Sequence, residues 1–116
     1  MSQAAHEVSE LIPRPDRTPA ALKAAVAIVA PGRLPELVDG QTTAMARAME
    51  QNGLAPIRAF LAHWAAVVEI ERMPERAQEY RRANYLANHA ATEGEQRQAA
   101  LRVAELYRQA SAAVAE

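Results

Sequence analysis

Histidine, carboxylate and hydroxyl groups are what catalysis would draw on, and in this chain of 116 residues they stand apart. His6, His63 and His89 are scattered, with no HExxH or comparable ligand spacing, so no metal site is expected. His89 and Glu93 are four apart, but a helix break falls between them. Glu69 and Glu71 are two apart on one helix and diverge, unlike the paired carboxylates that flank a glycosidic bond. Ser9 and Ser111 have no base nearby. Gly32, Gly40, Gly53 and Gly94 are isolated, so none belongs to a phosphate-cradling loop. The chain has no cysteine, hence no thiolate nucleophile, thiolate metal site or disulfide. The expectation is a protein that is not an enzyme, with no catalytic residue, no cofactor and no metal.

Surface recognition remains. On the fourth of five expected helices, Gln78, Arg81, Arg82, Tyr85 and His89 share the face opposite Tyr80, Ala83, Ala87 and Ala90. A tyrosine among arginines is a composition enriched at protein interfaces, and it also suits stacking on RNA bases. A solvated face is the more ordinary meaning of such a pattern. Leu101 stands alone among Arg97, Glu105 and Arg108 on the outside of the last helix. The candidate partner-binding residues are therefore Arg81, Arg82, Tyr85, His89 and Leu101.

Helices must position these groups, because no stretch alternates with the period of a strand. Residues 1–17, with Pro13 and Pro15, read as a flexible extended arm anchored only by Leu11 and Ile12. Thr18 as N-cap and Pro19 at the first helical position open "TPAALKAAVAIVA", and Pro31–Gly32 closes it. A second helix runs from Leu34 to a stop at Gly53. A third begins near Ala55–Pro56 and ends before Pro74, where the fourth starts and fades near Ala91. Thr92 and Glu95 stand at capping-box spacing and launch the fifth, almost to Glu116. The linkers are short, which favours antiparallel packing of neighbours. The fold class is all-α: one helical domain over 18–116, a bundle of about five helices.

The aromatics concentrate in "GLAPIRAFLAHWAAVVEIERMP", which holds the only Phe and the only Trp. Wound at about 100° per residue, Ile57, Phe60, Leu61, Trp64, Val67 and Val68 fall on one face and Arg58, Ala62 and Glu69 on the other. The stripe predicts a central core helix, with His63 at its margin and not paired with Trp64. Two polar residues break apolar faces. Glu71 projects between Phe60 and Trp64 and needs solvent, an arginine or Gln41 as partner, since an unpaired buried carboxylate is costly. Gln41 lies within a second-helix face of Leu34, Leu37, Val38, Ala44, Met45, Ala48 and Met49. The last helix is expected to bury Ala99, Val103, Leu106, Ala110 and Val114.

The formal net charge of −1 argues against strong attraction to nucleic acid or anionic lipid. Lys23 is the one lysine, an arginine bias of the kind a GC-rich genome produces. Nearly half of the apolar residues are alanine, which buries little area, so a partner or second copy is expected to complete a marginal core. The N-terminal residues lack a signal-peptide pattern and no run is long enough to span a bilayer, which points to the cytoplasm. A helix-turn-helix across "PGR" fails, because its reading helix would set Glu36, Asp39 and Glu50 against Arg47 alone.

The segments "IPRPDRTPAALKAAVAIVAPGRLPEL" and "APIRAFLAHWAAVVEIERMPE" resemble a family of small, uncharacterised, all-helical proteins from high-GC Gram-positive bacteria. The resemblance covers roughly residues 11–80. It implies an antitoxin-like partner of a small toxin of the RelE/ParE class, and it carries over no site residue. The functional expectation is a non-enzymatic protein–protein interaction module binding another protein, such as a toxin. The alternatives are a helical protein that associates with its own copy and a weak nucleic-acid binder using the fourth helix.

Overall fold

The computed structural model describes residues 10–115, and five α-helices with no strand make up their secondary structure. They are α1 (Pro19–Val29), α2 (Leu34–Gln51), α3 (Ala55–Glu71), α4 (Pro74–His89) and α5 (Glu93–Ala113), with a 3₁₀ turn at Pro31–Arg33 between the first two. The starts follow local chemistry. Thr18 Oγ1 accepts from the Ala21 amide at 3.2 Å, and Thr92 Oγ1 accepts from the Glu95 amide at 3.1 Å. Each satisfies an amide left over at a helix N-terminus. Proline occupies the first turn of α1, α2, α3 and α4, where its missing N–H costs nothing. The end of α2 differs from expectation. Asn52 takes the left-handed conformation (φ 55°), and Gly53, expected as the stop, only donates its amide to the Ala48 carbonyl at 3.1 Å.

α3 is the axis of the molecule, flanked by α1 and α2 on one side and by α4 and α5 on the other. Phe60 and Trp64 are buried with Leu22, Ala25, Val26, Leu37, Ala44, Ala65, Val67 and Val68, so the ring-bearing stripe is core. A second cluster joins Ala66, Ile70 and Ala110, with Tyr80 and Tyr107 packed against it. Alanine lets these helices approach closely: Ala66 and Ala110 are fully buried. α5 buries Ala99, Leu106 and Ala110, with Val103 and Val114 half-covered. α4 buries Ala77 and Ala83, whereas Tyr80, Ala87 and Ala90 are half-buried.

Every residue from Trp64 to Arg72 is buried, so the C-terminal half of α3 has no solvent side. Glu69, expected opposite the core, is therefore inside, at 4% exposure. Residues 10–17 cover it. They are extended, as Pro13 and Pro15 require, but they are not loose. Leu11 donates its amide to the Arg72 carbonyl at 2.7 Å, Ile12 packs on the core, and Arg17 Nη1 donates to the Val114 carbonyl at 2.8 Å. Residues 10–17 of the arm expected to be flexible thus lie as a strap across the ends of α3 and α5; its first nine residues, with His6 and Ser9, lie outside the described residues.

Gly40 lies in the α2 interior against the Phe60 ring. A Cβ there would sit 3.5 Å from Phe60 Cε1, an ordinary contact. Gly40→Ala is expected to raise stability by about 0.5–1 kcal/mol, since helical glycine carries an entropic cost. Asn52→Ala should lower it by about 1 kcal/mol, while Asn52→Gly should not, because only alanine resists the left-handed conformation. Urea midpoints of the three variants check both; a destabilised Gly40→Ala protein would mean that Phe60 is packed tighter than described.

Candidate functional site

Among the described residues, no group of three or more histidine and carboxylate side chains is placed to hold a metal ion. His63 was not expected to pair with Trp64, yet their rings meet edge-on with centroids 5.3 Å apart. A swing about the side-chain torsions closes the 100° between adjacent helical positions. His63 Nδ1 lies 2.8 Å from Tyr107 Oη, a link from α3 to α5 that the sequence reading missed. Burial, then the charge of Arg33, pushes the imidazole pKa below its ordinary 6.5. The Arg33 guanidinium lies 5.1 Å over the Trp64 ring and forks onto Glu36 with both bonds at 3.0 Å.

Glu69 is the most heavily bonded carboxylate. Arg14 reaches it through Nε and Nη2, both at 2.9 Å. Arg72 approaches through Nε at 3.0 Å and Nη2 at 3.4 Å, while its Nη1 serves Glu10 and the Ile12 carbonyl. Burial would raise the Glu69 carboxyl, but the bonds from Arg14 and Arg72 outweigh it and hold the group below its ordinary 4.5. Every oxygen is engaged in holding the strap. This is a structural lock.

Glu71 takes the second of its foreseen solutions. Arg81 Nη1 donates to Glu71 Oε1 at 2.9 Å, and Gln41 is not its partner. That pair engages one of the candidate binding residues. Tyr85, 63% exposed, stacks against His89 with centroids 4.5 Å apart. Arg81 and Tyr85 border a cleft of about 630 Å³ between α4 and the 3₁₀ corner. Arg82 borders a different one, about 850 Å³, between α4 and α5. Three of the four α4 residues thus border two different clefts, and His89 lines neither. Leu101 is 63% exposed, with no other large exposed apolar residue on α5.

The broadest exposed apolar surface is elsewhere. Val38, Met45 and Met49, expected inside, are 41%, 49% and 78% exposed, and Leu54 beyond the helix end is 58% exposed. The apolar residues of α2 span an arc of about 140°, wider than one neighbouring helix covers. Leu37, Ala44 and Ala48 take the buried half and Val38, Met45 and Met49 the open half. Met45, Met49, Leu54 and half-buried Ile57 border a groove of about 370 Å³ at the tip of the α2–α3 hairpin. The width of that arc was the available signal.

The comparisons add no relative. No family model, no curated protein and no solved structure matches this chain.

Two titrations follow. His63 has a lowered folded pKa, so its share of stability is full above about 6.5 and declines as pH falls below that value. Glu69, also lowered, contributes fully above about 4.5 and loses its share as pH falls through its folded pKa. Glu69→Gln should cost about 3 kcal/mol at neutral pH, the low end for breaking a buried pair because Arg14 is half exposed. It should also flatten the acid limb of a melting-temperature profile. An acid limb of unchanged slope in that variant would remove Glu69 from this role.

Proposed function

We propose that this chain is a non-enzymatic protein–protein interaction module whose working surface is the open side of the α2–α3 hairpin. The supporting observation is the contiguous exposure of Val38, Met45, Met49 and Leu54. Methionine is enriched at interfaces, and its flexible thioether adapts to a partner's contours.

The titratable groups fit a binding role better than catalysis, being committed to structural pairs. Glu69 is taken by two arginines, Glu71 by Arg81 and His63 by Tyr107. Pairing also weakens the nucleic-acid reading of the fourth helix: Arg81 binds Glu71, which lowers the positive charge free to meet phosphate. No helix among the described residues is long and apolar enough to cross a membrane. An antitoxin-like role is one form the module would take, and the reading does not depend on it.

A photo-crosslinking amino acid placed in turn at 45, 49, 82 and 101, in the protein's own host cell, tests the reading. Crosslinks to protein are expected from 45 and 49 and not from 82 or 101. Met49→Glu should weaken the captured interaction by about 2 kcal/mol or more, as loss of a central anchor does. Silence at 45 and 49 would end the proposal.

A further inference from the structure

Resting on that reading of the hairpin, we infer that the occupant of the open α2 face is a second copy of this chain, docked with its own α2 antiparallel. The first reason is spacing. The outward positions are Val38, Thr42, Met45 and Met49, separated by four, three and four residues. This sequence of steps reads the same in both directions. An antiparallel copy therefore sets Val38 against the partner's Met49 and Thr42 against the partner's Met45, and the same two contacts recur across the two-fold axis. Isologous pairing demands this self-match, and a foreign partner has no need of it. Thr42 does not interrupt the stripe with a polar atom, since its hydroxyl donates back to the Val38 carbonyl at 3.2 Å.

The second reason is charge. At about 100° per residue, Glu36 and Arg47 point away from the stripe, while Glu50 and Asp39 lie toward one flank, Asp39 about 60° from Thr42. The nearer flanks are Pro35, Gln41, Ala46 and Asn52. The stripe itself carries no charge to select a partner, and antiparallel α2 helices place opposite dipole ends together. The third reason is length. The stripe from Val38 to Met49 runs along about 17 Å of helix axis, three turns over which two helices can meet.

Sedimentation equilibrium on the full chain tests this, read beside the crosslinks at Met49. The expected mass rises with concentration from 12.6 kDa to twice that value. Val38→Lys and Met49→Glu should each weaken association at least about 30-fold. Both side chains are exposed, so the far-ultraviolet spectrum and melting temperature of the dilute monomer should not change. Mixing the two variants should restore dimer, because only the antiparallel register sets Lys at 38 against Glu at 49 of the other copy. A wild type that stays at 12.6 kDa, or a dimer indifferent to both substitutions, overturns the inference. So does a mixture that fails to pair. If the wild type is monomeric while position 49 crosslinks to another protein, the interaction surface stands and self-pairing falls. If neither occurs, both fall.

Discussion

The carboxylate of Glu69 is the constraint on which the rest depends. It lies at 4% exposure with guanidinium forks from Arg14 and Arg72 on its two oxygens. A charge taken out of water is tolerable only when its lone pairs are filled, and here they are. The arrangement fixes the direction of the whole N-terminal strap. Once Arg14 is committed, Leu11 and Ile12 reach the end of α3 and Arg17 reaches the end of α5. The C-terminal half of α3 is thereby enclosed without a sixth helix. Polar groups do for this side of the core what large side chains would do in a chain richer in them.

Alanine explains why such a device is needed. Ala66 and Ala110 let α3 and α5 approach closely, but methyl groups add little buried area. The large fully buried side chains are few: Leu22, Leu37, Ile70, Leu106, Val26 and Val68. Directional links supplement them, Glu71 with Arg81 joining α3 to α4 and His63 with Tyr107 joining α3 to α5. Among the described residues, no fully buried side-chain nitrogen or oxygen lacks a hydrogen-bond partner. The polar interior is complete, which is the condition under which it rigidifies rather than weakens a core.

What the sequence disclosed was the part governed by neighbours. Thr18, Thr92 and the prolines mark helix starts because capping acts over three residues, and the Phe60–Trp64 stripe follows from helical period. What it hid was set at long range. Arg14 and Glu69 are 55 residues apart, and no local rule pairs them. A helical wheel assumes one wet side and one dry side, which fails for the C-terminal half of α3, closed all round, and for α2, open on part of its apolar arc. Glu69 and Met49 were misplaced for these opposite reasons. The face of Arg81, Arg82, Tyr85 and His89 was drawn as one surface, yet Arg81 and Tyr85 border the cleft at the 3₁₀ corner and Arg82 the cleft beside α5.

Trp64 is the chain's single indole and 2% exposed, with a guanidinium over its ring and an imidazole at its edge. Its fluorescence consequently reports one place, the junction of α1, α2 and α3, uncontaminated by any other tryptophan. Emission from that site is shielded from water, and its intensity follows the neighbouring imidazole, which quenches more strongly when it carries a proton. The protein is thus fitted with an optical gauge of its own interior, readable without a label.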